Sequence, residues 1–216
     1  MIKRSEQTLQ GKPIVFVVDD DKSVLKTLSR AIEQYDHEVK AFASAKEFLA
    51  NFNNEHGCLV LDLSMPDMDG LELQSELTKL RHEIPLVFIT GHGEVAESVK
   101  AFRAGAIDFL EKPFRMKQLI DSIEEAITLD AKNRMHLTKK NELRERIGKL
   151  TERERDIFDL LVQADETPSS KVIARELDIS HRTVEHHRSR ILEKIEVKTV
   201  VELRLTVAEL RLSNNS

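Results

Sequence analysis

The sequence predicts an α/β module built on a five-stranded parallel sheet with helices on both faces, followed by an all-α module. Three observations predict it. Short apolar runs alternate with longer amphipathic stretches up to about residue 111, the pattern of repeated βα units. The runs are nearly continuous in apolar residues, as strands buried on both faces must be. Beyond Phe114 no strand pattern occurs, and no Gly or Pro interrupts the chain between Pro113 and Gly148.

The elements follow in order. Residues 14–18 read as the first strand and 24–32 as a helix; 39–42 is a strand and 45–52 a short helix. Residues 59–63, 86–90 and 106–110 are further strands, each followed by an amphipathic stretch at 71–80, 95–104 and 114–127. Residues 128–149 are rich in Lys, Arg and Glu and form a charged, helical segment between the modules. A continuous helix over 114–147 would be a rod about 50 Å long at ~1.5 Å per residue; the competing reading is a flexible tether. Ile123, Ile127, Ala131 and Met135 lie four apart, but Leu137, Leu143 and Ile147 do not extend a heptad, so a sustained coiled coil is not expected.

Composition narrows the class. The 216 residues hold 40% hydrophobic and 33% charged residues, with no apolar run near the ~20 residues of a membrane span. The opening ten residues lack the apolar core of a secretory signal. Cys58 is the lone cysteine, so no intrachain disulfide forms and a cytoplasmic setting is expected. The net charge of −5 hides an asymmetry. Residues 1–127 carry 15 basic and 22 acidic side chains, net −7, whereas 128–216 carry 18 and 16, net +2. Nucleic acid is therefore a candidate partner for the second module only.

In an open parallel sheet the ligand site lies off the carboxyl ends of the strands. The first strand ends in Asp19-Asp20-Asp21, the third in Asp62 and the fourth in Thr90, and Lys112-Pro113 follows the fifth. Converging carboxylates raise one another's pKa unless a cation neutralises them, and oxygen-only ligands suit Mg2+. Magnesium beside a free carboxylate, a hydroxyl and a lysine is a site for moving a phosphoryl group. Any one Asp here equally suits a helix N-cap, Asp20 or Asp21 in particular. No proton-transfer base accompanies the set, which fits a lasting phosphorylated state and a switch rather than an enzyme of metabolism.

The motifs 15–21 (VFVVDDD), 42–45 (FASA), 58–70 (CLVLDLSMPDMDG), 88–93 (FITGHG) and 105–114 (GAIDFLEKPF) resemble, in order and spacing, the bacterial two-component response regulators, and most of all their FixJ-like branch. The resemblance implies a flavodoxin-like strand order 2-1-3-4-5. It implies that Asp62 accepts a phosphoryl group from a phosphohistidine on a sensor histidine kinase, and that Asp19, Asp20, Asp62 and the backbone carbonyl of Ser64 bind Mg2+. Thr90 and Lys112 would stabilise the phosphoryl group, and Thr90 with Phe109 would form the switch. Lys112-Pro113 resembles the family's cis peptide. The surface that would change, and dimerise, includes Val95, Val99, Phe102, Arg103 and Lys117.

In the second module Thr151 and Glu154 form a capping box before a helix with Ile157, Leu160 and Leu161 on one face. Residues 171–178 lead to Ser180, an N-cap for a helix over 181–195 on which Val184, Ile191 and Ile195 share a face. This is helix-turn-helix spacing, with Asp178 at a turn position that prefers Gly. On the last helix Arg182, His186, Ser189 and Glu193 point away from the core with Glu185, Arg188 and Arg190 beside them, a polar stripe suited to the major groove or simply to solvent. Residues 150–161 and 173–192 resemble the LuxR/NarL-type effector domain. That likeness implies that Glu185, His186 and Ser189 face bases, that Arg182, Thr183, Arg188, Arg190, Lys194 and Lys198 contact phosphates, and that a helix over about 200–210 pairs two subunits. The loop 164–170 is longer than the family's turn.

The expectation is a receiver domain (1–127), a linker (128–149) and a DNA-binding domain (150–216). Together they would make a transcription activator that sensor-kinase phosphorylation drives into a homodimer on paired half-sites of double-stranded DNA, with RNA polymerase a further candidate partner. A phosphohydrolase is disfavoured because Leu63 and Ser64, not an acid-base Asp, follow Asp62. A constitutive DNA-binding protein with a merely structural receiver is the third reading.

Overall fold

The computed structural model describes residues 11–91, 105–163 and 167–212. The chain divides into two compact units, 1–135 and 136–216.

In the first unit five strands, β1 (Ile14–Val18), β2 (Glu38–Phe42), β3 (Gly57–Asp62), β4 (Leu86–Thr90) and β5 (Asp108–Glu111), form one parallel sheet in the order β2-β1-β3-β4-β5. Every residue of β1, β3 and β4 is buried, which explains their continuous apolar sequence, while the edge strand β2 is largely exposed. Side chains alternate between two cores, one per face. Phe16, Phe48, Leu59, Leu61, Leu73 and Phe88 fill one; Val15, Val17, Ile32, Val60, Val87, Leu119 and Ile123 fill the other.

Local chemistry sets the helix starts. Asp21 caps α1 (Lys22–Glu33), accepting from the N–H groups of Ser23 and Val24, so of the three consecutive aspartates it is the third that caps the helix. Ser44 caps α2 (Ala45–Asn51), and Asp69 with Glu72 makes a reciprocal capping box at α3 (Gly70–Lys79). The last strand begins two residues later than the apolar run 106–110 suggests. Ala106 and Ile107 precede the ladder, whose partners are Val87 with Asp108 through Thr90 with Glu111. The stretch 95–104, and with it Val95, Val99, Phe102 and Arg103, lies outside the described residues; Lys117 is exposed.

After β5 a single helix, α4, runs for 33 residues from Met116 to Gly148, and the division between the units falls within it. The second unit adds α5 (Glu152–Gln163), α6 (Ser170–Glu176), α7 (His181–Ile195) and α8 (Val200–Leu212). Ile157, Leu161, Ile173, Val184, Ile191, Ile195 and Leu203 form its core. Asp178, between α6 and α7, has φ +50°, the left-handed conformation that explains why glycine suits this position. Among the described residues no helix is long and apolar enough to cross a membrane.

Candidate functional site

The carboxyl edge of the sheet carries a compact charged cluster. Asp19, at the end of β1, Asp62, at the end of β3, and Thr90, at the end of β4, are all buried. Lys112, just past β5, reaches back across the edge, its Nζ 2.6 Å from Asp62 Oδ1 and 3.2 Å from Asp19 Oδ2. Backbone amides complete the carboxylates: Ser64 N–H donates to Asp62 Oδ2 (3.0 Å) and Asp21 N–H to Asp19 Oδ1 (2.9 Å). The Lys112-Pro113 peptide is cis, and Lys112 N–H donates to Thr90 O (2.8 Å). Gly70 makes room beside the cluster. A Cβ there would lie 2.8 Å from Asp62 O and 2.9 Å from the Phe88 ring, so a side chain cannot fit without moving backbone.

The electrostatics follow from this geometry. Burial, reinforced by the charge of Asp19, pushes the Asp62 carboxyl above its usual range, although Lys112 and Ser64 pull the other way. Burial works to lower the Lys112 pKa, but the two carboxylates raise it and keep the ammonium charged.

The structure brings together four of the sequence-predicted residues, Asp19, Asp62, Thr90 and Lys112, and leaves Asp20 exposed. Among the described residues no group of three or more His, Cys, Asp or Glu side chains is arranged to hold a metal ion. The Lys112 ammonium lies between Asp19 and Asp62 and supplies positive charge to both. Their chemistry nonetheless fits a hard cation: two buried, oxygen-only donors with one compensating charge retain a net negative charge. Phe109 is half-buried and packs against Phe88, with ring centroids 6.2 Å apart.

On α7, Arg182, His186, Ser189 and Arg190 are exposed, as is Lys198 beyond its end. Thr183 is tied to the cap residue Ser180 (hydroxyls 2.7 Å apart). Three other residues of the expected contact set, Glu185, Arg188 and Lys194, are engaged inside the unit in ways the sequence did not reveal. Arg188 Nη1 donates to Ser170 Oγ (2.5 Å), and Ser170 Oγ donates to Glu185. Lys194 Nζ lies 2.6 Å from the buried Glu154 Oε2 and 3.2 Å from Lys149 O, so this half-buried ammonium is tied to groups inside the unit.

Glu154 gives a pH signature. Burial opposes its ionisation, but Lys194 and the Thr151 N–H and hydroxyl hold its carboxyl below the ordinary range. A depressed carboxyl stabilises the fold above its unfolded pKa of ~4.3, and that stabilisation is lost as pH falls through the folded value. Thermal unfolding of the helical unit is expected to show this loss on acidification below about pH 4. Glu154→Gln is expected to cost roughly 2 kcal/mol at neutral pH and to flatten the acid dependence; an unchanged acid limb would mean that Glu154 does not carry it.

A buried Asp-Lys cluster at the carboxyl edge of a five-stranded α/β sheet is followed by a helical unit whose helices run in helix-turn-helix order. Comparison with known proteins specifies the family. Residues 15–124 match the response regulator receiver domain and residues 148–207 the LuxR family of bacterial regulatory proteins. The response regulator protein TodT of Pseudomonas putida is 38% identical over 191 residues, 88% of this chain and 83% of its own length. The transcriptional regulatory protein FixJ of Rhizobium meliloti is 40% identical over 190 residues, 88% of this chain and 92% of its own. Among solved structures, the response regulator StyR superposes with a TM-score of 0.80 at 40% identity, covering 92% of this chain and all of StyR. The chain belongs to the FixJ/NarL family of two-component response regulators, transcriptional regulators that pair a receiver with a LuxR-type DNA-binding domain.

Proposed function

We propose that this response regulator is switched by phosphorylation of Asp62 and then binds paired DNA half-sites as a homodimer, acting as an activator in the cytoplasm. The observation that carries the reading is Lys112 bridging Asp62 and Asp19 at the carboxyl edge of the sheet. A sensor histidine kinase would supply the phosphoryl group. An Asp62 carboxylate oxygen attacks the phosphorus of the phosphohistidine, the P–N bond breaks, and the imidazole keeps the electron pair and takes up a proton. The product is an acyl phosphate on Asp62.

Each residue has a part in that transfer. Lys112 keeps its positive charge beside the acceptor and can pass from carboxylate to phosphoryl oxygen over a short distance. The Thr90 hydroxyl donates to a second phosphoryl oxygen. Receiver domains are generally Mg2+-dependent; here Asp19, Asp20, Asp62 and the Ser64 carbonyl would hold the ion, which supplies charge compensation when bound. Movement of Thr90 toward the phosphoryl group vacates space for Phe109, an apolar ring with no hydroxyl to satisfy on burial.

The receiver is assigned to 1–127, the linker to 128–149 and the DNA-binding domain to 150–216. Within the last, Arg182, Thr183, Arg188, Arg190, Lys194 and Lys198 are assigned to phosphates and Glu185, His186 and Ser189 to bases. The internal bonds of Lys194 and Arg188 make Arg182, Arg190 and Lys198 the readiest phosphate contacts. RNA polymerase is a further candidate partner. The test is solution mass and selection from a randomised double-stranded DNA library, with and without Mg2+ plus a small-molecule phosphodonor. Dimers and sequence-selective binding that depend on phosphodonor are expected. Equal selective binding in all samples would leave a DNA-binding protein whose receiver does not control it.

A further inference from the structure

We propose that Ser170 is a positioning residue for DNA sequence preference: from the start of α6 its hydroxyl holds Glu185 and Arg188 of α7 as one unit and fixes how both meet the bases. This rests on the reading of α7 as the helix that enters the groove. Ser170 is a small hydroxyl residue in a loop-to-helix junction, and the cap of α6 is its neighbour Ser169, whose side chain accepts from Val172 N–H. Capping therefore does not account for Ser170. Its side chain is buried, at 4% exposure, between the two helices.

The bonding is directional. A serine hydroxyl has one proton to give and lone pairs to receive. Here it donates to Glu185 Oε1 and accepts from Arg188 Nη1 at 2.5 Å. Glu185 and Arg188 are one turn apart on α7 with Arg188 Nη1 and Glu185 Oε1 3.4 Å apart, so without the hydroxyl they could pair with each other or with water in several rotamers. With it, one carboxylate oxygen and one guanidinium nitrogen are committed to α6. The free Glu185 oxygen and the remaining Arg188 donors are then presented in one orientation, and hydrogen bonds in such a chain reinforce one another. The Glu185 carboxyl is correspondingly held below its ordinary range, first by the Ser170 bond, which outweighs burial, with Arg188 and His181 adding smaller effects. Bidentate base readout requires that kind of fixed geometry.

A residue that merely packs would lower affinity for all DNA alike; a positioning residue changes which bases are chosen. The experiment selects binding sequences from a randomised double-stranded library with the full-length native protein, Ser170→Ala, Glu185→Ala, the Glu185→Ala/Arg188→Ala pair and that pair combined with Ser170→Ala, all with Mg2+ and phosphodonor. Thermal unfolding is recorded for each. Ser170→Ala is expected to lose about tenfold discrimination at one or two positions of the site while binding to non-selected DNA stays unchanged. Because Ser170 acts through both Glu185 and Arg188, adding Ser170→Ala to the Glu185→Ala/Arg188→Ala pair should leave that pair's preference unchanged. Ser170→Thr, which keeps the hydroxyl, should restore the native preference. An unchanged motif in Ser170→Ala, or a further shift when Ser170→Ala is added to the Glu185→Ala/Arg188→Ala pair, overturns the proposal. If the native protein enriches no sequence at all, the DNA-binding reading falls and this inference with it. Should Ser170→Ala fail to fold, Glu185→Ala still decides: an unaltered motif there overturns the proposal, since Glu185 is exposed and its removal leaves the core intact.

Discussion

Asp62→Asn is expected to abolish incorporation of acid-labile phosphate entirely while leaving the chain at least as stable as the native protein. The chemical half is simple: an amide oxygen carries no charge to attack phosphorus and cannot leave an acyl phosphate. The stability half follows from the site. Asp62 is buried, and burial places its folded pKa above the ordinary value. A group raised in this way favours the fold below its unfolded pKa, and that contribution disappears as pH rises through the folded value. At neutral pH the ionised carboxylate is therefore a cost, which neutral Asn does not incur. The remaining bonds survive substitution: Asn can still accept from Ser64 N–H, and Lys112 keeps Asp19. Phosphate incorporation from a small-molecule donor and thermal unfolding at pH 7 measure both halves. Full incorporation would remove Asp62 from its role; a melting temperature several degrees below native would mean that the Lys112 pair outweighs burial.

How much of this was legible in the sequence depends on the reach of each interaction. Strand ends were legible because an apolar run stops where the chain leaves a buried parallel sheet, and Asp19, Asp62 and Thr90 sit at those stops. Which of the three successive aspartates caps α1 was not, because all three are chemically able; the backbone at Asp21 decides it. The last strand starts at Asp108 rather than Ala106 because hydrogen-bond pairing with β4, not hydropathy, defines a strand. On α7 the polar stripe was readable from periodicity. The ties of Arg188 to Ser170 and Lys194 to Glu154 were not, since they span 18 and 40 residues and leave no local pattern. Gly70 was visible as part of a motif, but its reason, the backbone of Asp62 behind it, belongs to tertiary structure.

The same blindness to long range applies at the opposite end of the sheet, where Asp130→Ala is expected to destabilise the receiver by about 3–5 kcal/mol. Asp130 lies on α4, beyond the stretch that matches the receiver family, yet it is fully buried. Its Oδ2 accepts from the Gly57 N–H (2.8 Å) and from Arg134 Nε one turn on (2.8 Å), and lies 2.5 Å from His56 Nδ1. Arg134 also donates to Glu55 O at 2.7 Å, so the start of β3 and this part of α4 are joined by one charged network. The junction has no slack: a Cβ on Gly57 would lie 1.8 Å from Ile14 O, so only glycine lets β3 pass β1 here and still offer its N–H to Asp130. Removing the carboxylate leaves a buried amide and a partly buried guanidinium without their acceptor, which costs more than the pair itself was worth. Asp130→Asn, which retains one acceptor but no charge, should fall between native and Ala. Urea unfolding followed by far-UV circular dichroism would read the difference. A cost below about 1 kcal/mol for Asp130→Ala would show that α4 is held by its apolar face alone. The expected large cost would extend the receiver's cooperative unit along α4 past residue 124, to the compact unit's own limit at Met135.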